Sequence, residues 1–256
     1  MDSKENEVQI KAVENDNVVE KKKIHPIIGF VLAMILTILV GGIAGSISTI
    51  NKMEKIYGEE YFNMSLEELE TGEKYSEIYK EESIKMTTIV QFVVFLILTI
   101  ELVVVHSKKI KSDFKKLNKK TILMVVIATI VMILLNFGLS ILFDYLGAES
   151  NNQDNFYNMI SAVLVPTIIY TAILAPIAEE MAFRYSLGTL INNKYVFMIV
   201  SSLLFGILHG IGIITILYVV LGFILSFIYI KSDKNIITTI FAHMANNMLV
   251  VLLTLL

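Results

Sequence analysis

Residues 121–143 read TILMVVIATIVMILLNFGLSILF, without one charged side chain. At about 1.5 Å of rise per residue, this run makes a helix roughly 34 Å long, enough to cross a hydrocarbon core of about 30 Å. The apolar residues run continuously and do not alternate with polar ones, so a membrane β-barrel strand is disfavoured. Residues 27–50 (IIGFVLAMILTILVGGIAGSISTI) and 87–105 (TTIVQFVVFLILTIELVVV) read the same way. The first of these is too long for the apolar segment of a signal peptide, about 7–15 residues, and reads as a retained span. From 159 to 256 the chain is apolar almost throughout. Polar or glycine breaks come at Asn192-Asn193-Lys194, Gly210-Ile211-Gly212 and Lys231-Ser232-Asp233-Lys234. They predict four more helices, near 160–191, 195–210, 212–231 and 236–256. The expected fold is all-α, a polytopic transmembrane helix bundle of about seven spans, with six to eight compatible with the pattern.

Composition agrees and removes whole classes of function. Of 256 residues 55% are hydrophobic, and the mean hydropathy is +0.69, which excludes an ordinary soluble enzyme. The net charge of −3 is too small to gather nucleic acid. With no Cys there is no disulfide, no thiolate zinc site and no thiol nucleophile.

The polar segments divide the chain. Residues 1–24 form a polar tail, expected to be flexible, that ends in Lys21-Lys22-Lys23. Residues 25–146 hold the N-terminal transmembrane helices, joined by a Glu-rich connector at 51–86. In that connector Ser65-Leu66-Glu67-Glu68 fits a capping box and predicts a surface helix. Residues 155–256 form the helical core. The tail, the Lys-rich 106–120 loop and the turns at 192–194 and 231–234 are the basic segments. Their alternation places the N-terminus in the cytoplasm, with 51–86 and the acidic 144–158 loop outside. The 106–120 loop reads as a contact with lipid headgroups.

Inside the core lie side chains that a bilayer resists: Glu179, Glu180, Arg184, His209, His243, Asn246 and Asn247. Each charge at mid-helix costs roughly 2.5–3.5 kcal/mol on an insertion scale, so such a cluster marks an interior site. Helix rise puts Glu179, His209 and His243 at similar depths on three helices. Glu180 and Arg184, spaced i, i+4, share a face and read equally well as a structural ion pair. Glu179, turned about 100° away, is left to face a cavity. Pro176 cannot donate to the Ala172 carbonyl and should kink the helix one turn before Glu179. Gly206 and Gly210 form a small-xxx-small pair for close helix approach. Blander readings suit the remaining polar groups: Asn246 as interhelical glue, Glu101 snorkelling or paired with Lys108, and His25 and His106 solvated at the interfaces.

A carboxylate, two imidazoles and an amide at one depth can activate water and stabilise an oxyanion. In that reading Glu179 is the general base, His209 holds and polarises the water, and His243 and Asn247 donate to the oxyanion. The set suits amide hydrolysis. The chain lacks H-E-x-x-H, G-x-G-D and G-x-S-G, which argues against the common zinc, two-aspartate and rhomboid-type serine designs.

Three motifs occur in order on three helices. Glu179-Glu180-Met181-Ala182-Phe183-Arg184 fits E-E-x-x-x-R, Phe205-Gly206-Ile207-Leu208-His209 fits F-x-x-x-H, and His243-Met244-Ala245-Asn246-Asn247 fits H-x-x-x-N. Together they resemble the CPBP family of intramembrane endopeptidases, which includes CAAX proteases, bacteriocin-processing enzymes and the Abi group. The resemblance covers about residues 155–256. It implies a glutamate-type intramembrane peptidase with a cavity open to the cytoplasm. Glu179 would be the base, His209 its partner, His243 and Asn247 the oxyanion site, and Glu180 and Arg184 supporting residues. No cofactor is expected; zinc held by Glu179, His209 and His243 is the disfavoured alternative. The implied partners are membrane lipid and a peptide or lipidated protein substrate. The Lys-over-Arg bias and short loops point to a bacterial cell membrane, and so away from a prenylated substrate. Two competing readings are a non-catalytic bacteriocin self-immunity protein of the same family and a small transporter. Intact motifs disfavour the first, and the lack of an internal repeat disfavours the second.

Overall fold

The first two apolar runs fold as a long antiparallel hairpin of helices α1 (Asp2–Tyr57) and α2 (Glu73–Val105). They belong to a computed structural model that describes residues 2–58, 73–145 and 151–256. The chain continues through a short helix α3 (Ser107–Lys115), α4 (Lys119–Tyr145) and α5 (Asn151–Ala162). The core follows as α6 (Leu164–Leu190), α7 (Lys194–Leu208), α8 (Ile214–Lys231) and α9 (Ile236–Leu255). No strand occurs among the described residues, and the architecture is the polytopic helical bundle that the apolar runs predict.

Six of these helices are long and apolar enough to span a membrane; α7 is not. Its 15 residues make a rod of about 22 Å, short of the roughly 30 Å hydrocarbon core. The expected seventh span is therefore a partial one. It starts where Asn193 accepts from the Tyr195 and Val196 amides, and it ends at His209, its C-cap. With Lys194 at one membrane surface, a helix of that length would leave His209 short of the other.

Other expectations need correction. The helix of α1 runs on through residues 2–24, where a flexible tail was expected; the stretch contains neither Gly nor Pro to stop it. The acidic 144–158 segment is helical from Asn151. The expected helix near 160–191 breaks at Val163, whose φ of −150° is not helical. There Thr167 Oγ1 donates to the Met159 and Val163 carbonyls at 2.9 and 2.7 Å. The Lys-rich loop contains α3, and its Asp113 is buried. Asp113 meets Lys109 at 2.6 Å and accepts from the Ile236 amide at 2.9 Å, so it anchors the start of α9. Glu101 pairs with His25 at 2.9 Å, not with Lys108. His106 is buried against the ring of Tyr185, not solvated. The capping box at 65–68 lies outside the described residues.

Small residues set the helix spacings. A Cβ on Gly41 would lie 3.0 Å from the Thr87 backbone, and one on Gly45 would lie 2.9 Å from that of Ser83. Between membrane helices the apolar effect gives no net pull, so such close approach supplies the packing. Gly206 abuts Val219 of α8, where a Cβ would overlap Cγ2. Gly210 plays a different part from the one expected. It lies beyond α7 with φ of 137° and serves the turn, not the helix contact.

Gly45→Leu should destabilise the hairpin by about 1–3 kcal/mol through overpacking. Gly42→Leu, where nothing lies within 4 Å, should be nearly neutral. Thermal unfolding of the two variants in detergent compares them directly.

Candidate active site

The residues of the site are presented by a helix that changes its winding twice. Helix α6 is π-helical over Tyr170–Leu174 and Met181–Ser186, with an α-helical stretch, Ala175–Glu180, between them. Such π segments concentrate at functional sites. Pro176 accounts for the first. The Ala175 amide reaches back five residues to the Tyr170 carbonyl, but Pro176 has no N–H to continue that register. The carbonyl left over is that of Thr171, one residue before the Ala172 that an α-helical register assigns. Asn247 of α9 donates its Nδ2 to it at 2.9 Å.

Around this stretch a charge cluster forms. Arg184 Nε lies 3.3 Å from Glu180 Oε2, a charge contact without hydrogen-bond alignment, and both side chains are fully buried. The guanidinium also donates Nη2 to the Gly222 carbonyl at 3.2 Å and stacks over the Phe205 ring, 4.5 Å from its centroid. The other oxygen of Glu180 is 3.0 Å from His243 Nδ1, and His243 Nε2 is 3.8 Å from Glu179 Oε2. Glu180 is thus fixed between a cation and an imidazole. Glu179 stands by the opposite ring nitrogen of the same imidazole.

Glu179 lines a cavity of about 200 Å³, together with His209, Tyr170, Thr37, Gln91 and Phe95. His209 Nδ1 donates to the Phe205 carbonyl at 2.7 Å. A carbonyl can only accept, so this bond assigns the proton to Nδ1. The imidazole stacks on Tyr218, with centroids 4.1 Å apart and an angle of 19°.

The structure therefore brings Glu179 and His209 to one cavity, and Glu179, Glu180, Arg184 and His243 into one cluster. The Phe205 ring links the halves, with its centroid 4.4 Å from that of His209 and 5.7 Å from that of His243. His243 and Asn247 are not among the cavity-lining residues, and the Asn247 amide is occupied by Thr171. Asn246 accepts from Asn136 of α4 at 3.2 Å and donates to Asn247, as interhelical glue would. Among the described residues, no three His, Asp or Glu side chains gather closely enough to hold a metal. Sequence reasoning missed Tyr170, Gln91 and Thr37, uncharged residues inside apolar runs that carry no signal of their own.

Residues 161–249 match the family model described as type II CAAX prenyl endopeptidase Rce1-like. Among curated proteins the chain is 36% identical over 113 residues to "Putative membrane peptidase YdiL" of Bacillus subtilis (strain 168), covering 43% of this chain and 46% of that one. It is 32% identical over 160 residues to an uncharacterised protein of Mycoplasma capricolum subsp. capricolum, covering 57% and 47%. It is 31% identical over 137 residues to UPF0177 protein YajF of Lactococcus lactis subsp. lactis, covering 50% and 68%. The chain spans about half the length of the first two relatives. No solved structure matches it significantly. The chain belongs with the UPF0177 family and carries an Rce1-like type II CAAX prenyl endopeptidase domain over residues 161–249.

Arg184→Met leaves Glu180 buried without its cation and should cost about 3–5 kcal/mol of stability. The double variant Glu180→Met/Arg184→Met, which removes both charges, should recover a large part of that loss. Unfolding midpoints of the two proteins test the coupling.

Proposed function

We propose that this chain is an intramembrane endopeptidase that hydrolyses a peptide bond of a membrane-associated or lipid-anchored substrate with water activated by Glu179. One observation carries the reading: Glu179 and His209, from different helices, line the same cavity. Its volume of about 200 Å³ has room for several waters, at roughly 30 Å³ each in the liquid. Family membership supports a peptidase as the activity of that cavity.

The geometry supports the following roles. Glu180 is held by Arg184 and His243, which leaves Glu179 as the carboxylate turned to the water. Glu179 takes a proton from that water, and the oxygen attacks the scissile carbonyl. His209, with Nδ1 tied to the Phe205 carbonyl, presents its other edge to the cavity and orients the water. His243 is oriented by Glu180 through Nδ1, with Nε2 beside the base. There, with a proton on Nε2 as well, it can donate to the charge that develops on the substrate oxygen. Asn247 joins the oxyanion site on releasing the Thr171 carbonyl; in the resting arrangement it braces α6. Proton transfer then carries the hydrogen from Glu179 to the leaving amine.

The Lys distribution supports a cytoplasmic N-terminus, and the three bacterial relatives support a bacterial cell membrane.

Glu179→Gln keeps the shape and removes the base. Cleavage of membrane-protein substrates in host membranes, read by mass spectrometry of new termini, should fall by about 10²–10⁴-fold. Processing at full strength by a membrane-inserted Glu179→Gln protein refutes this role of Glu179. A second measurement addresses metal. Activity of the purified protein should survive chelation; loss on chelation with recovery on added zinc assigns a zinc mechanism instead.

A further inference from the structure

Thr37 of α1 and Gln91 of α2 line the same cavity as Glu179. Neither belongs to the three motifs, and both lie outside the residues that the family model matches. Thr37 is 6% exposed, and its hydroxyl has no hydrogen-bond partner. Two other threonines of the same hairpin behave differently. Thr49 donates to the Gly45 carbonyl at 2.9 Å, and Thr88 to the Ile84 carbonyl at 2.7 Å. A threonine in a membrane helix ordinarily returns its hydroxyl to the backbone in this way. Thr37 instead keeps a buried donor and acceptor at the cavity wall, an arrangement that calls for a polar partner from elsewhere.

The helix register explains why Gln91 is there too. Gly45 packs on Ser83 and Gly41 on Thr87. One further step of four residues along each antiparallel helix sets Thr37 opposite Gln91. Gln91 is positioned by Tyr170, whose phenol accepts from its Nε2 at 2.7 Å. A hydroxyl and a primary amide can each donate and accept, which matches the paired N–H and C=O of a peptide backbone. Phe30, Met34 and Phe95 form apolar walls beside them, suited to the side chains of a membrane-borne peptide.

We propose that Thr37 and Gln91 form a substrate-binding subsite, which hydrogen-bonds the main chain of an extended apolar peptide and turns its scissile bond toward Glu179. The proposal rests on the peptidase reading of that cavity. It makes the N-terminal hairpin, not the motif-bearing core, the part that grips the peptide backbone.

The test uses the full chain in nanodiscs and a pool of fluorescein-labelled octapeptides with Leu, Ile, Phe and Ala at their centres. Binding is read by fluorescence polarisation on the Glu179→Gln background, where cleavage does not interfere. Thr37→Val and Gln91→Leu should each weaken binding about 3- to 10-fold, the usual effect of removing one neutral hydrogen bond. Thr37→Ser, which keeps the hydroxyl, should retain binding. On the Glu179 background the same two variants should raise KM more than they lower kcat. Thermal unfolding within a few degrees of the parent certifies that each variant is folded. Unchanged binding in folded Thr37→Val and Gln91→Leu overturns the subsite and assigns the Thr37 hydroxyl to water. A pool that does not bind at all also overturns it. Cleavage by Glu179→Gln at the parental rate overturns the role of Glu179 alone, because the polarisation arm still reads the subsite.

Discussion

A guanidinium buried at bilayer depth must find its counter-charge within the protein, and the architecture of the core follows from that constraint. Arg184 is the chain's one arginine and has no exposed surface. Its planar fork meets Glu180, the Gly222 carbonyl and the face of Phe205 at once. Lysine, a point charge on a flexible stem, does not make that set of contacts. These contacts tie α6 to α7 and α8. Through Glu180 and His243 they tie α6 to α9 as well. Such a pair adds little net stability over apolar packing, but losing one member is costly. The cluster therefore enforces a specific arrangement of four helices more than it strengthens their association.

That arrangement determines which carboxylate is available for chemistry. Adjacent residues on a helix project about 100° apart, so fixing Glu180 toward Arg184 turns Glu179 toward the cavity. The two π segments refine the aim, because they bracket the Ala175–Glu180 stretch. A widened turn is stable only where the freed backbone groups find partners, and at Thr171 the partner is Asn247. Pro176 and Asn247 lie far apart in the chain yet act as one device. The proline releases a carbonyl, and the amide from α9 takes it up.

Much of this was legible in the sequence because charges stand out in apolar runs. Glu179, Glu180, Arg184, His209 and His243 were conspicuous for that reason, and helix rise alone gave Glu179, His209 and His243 similar expected depths. Asn247 stood out equally, but its engagement with Thr171 depends on a helical register that the sequence does not declare. The breaks at 192–194 and 210–212 already bounded α7 closely; what the sequence reading overestimated was its standing as a full span. Polar groups near the membrane surface misled in another way. His25, Glu101 and His106 have many partners within reach of an interface, and sequence offers no means of choosing among them. Asp113 looked like one acid in a basic loop; burial beneath the start of α9 gives it its role. Thr37 and Gln91 were silent because an uncharged polar residue in a span costs little to insert and so attracts no notice.

The division between legible and silent residues matches a division of labour. Chemistry at membrane depth needs charge, charge is conspicuous, and the residues proposed to supply it lie in 161–249, where the family model matches. Recognition of a substrate backbone needs only neutral donors and acceptors at a set distance from the base. Those can come from any helix that packs closely enough, and here they come from a hairpin held together by glycines. Glycine contacts fix position without specifying what stands at the next turn, so residues 37 and 91 can change while the helix spacing stays the same. A core that keeps its charge cluster can therefore be combined with hairpins that present different polar groups to the cavity. On this view relatives can share the catalytic arrangement in full and still act on different peptides.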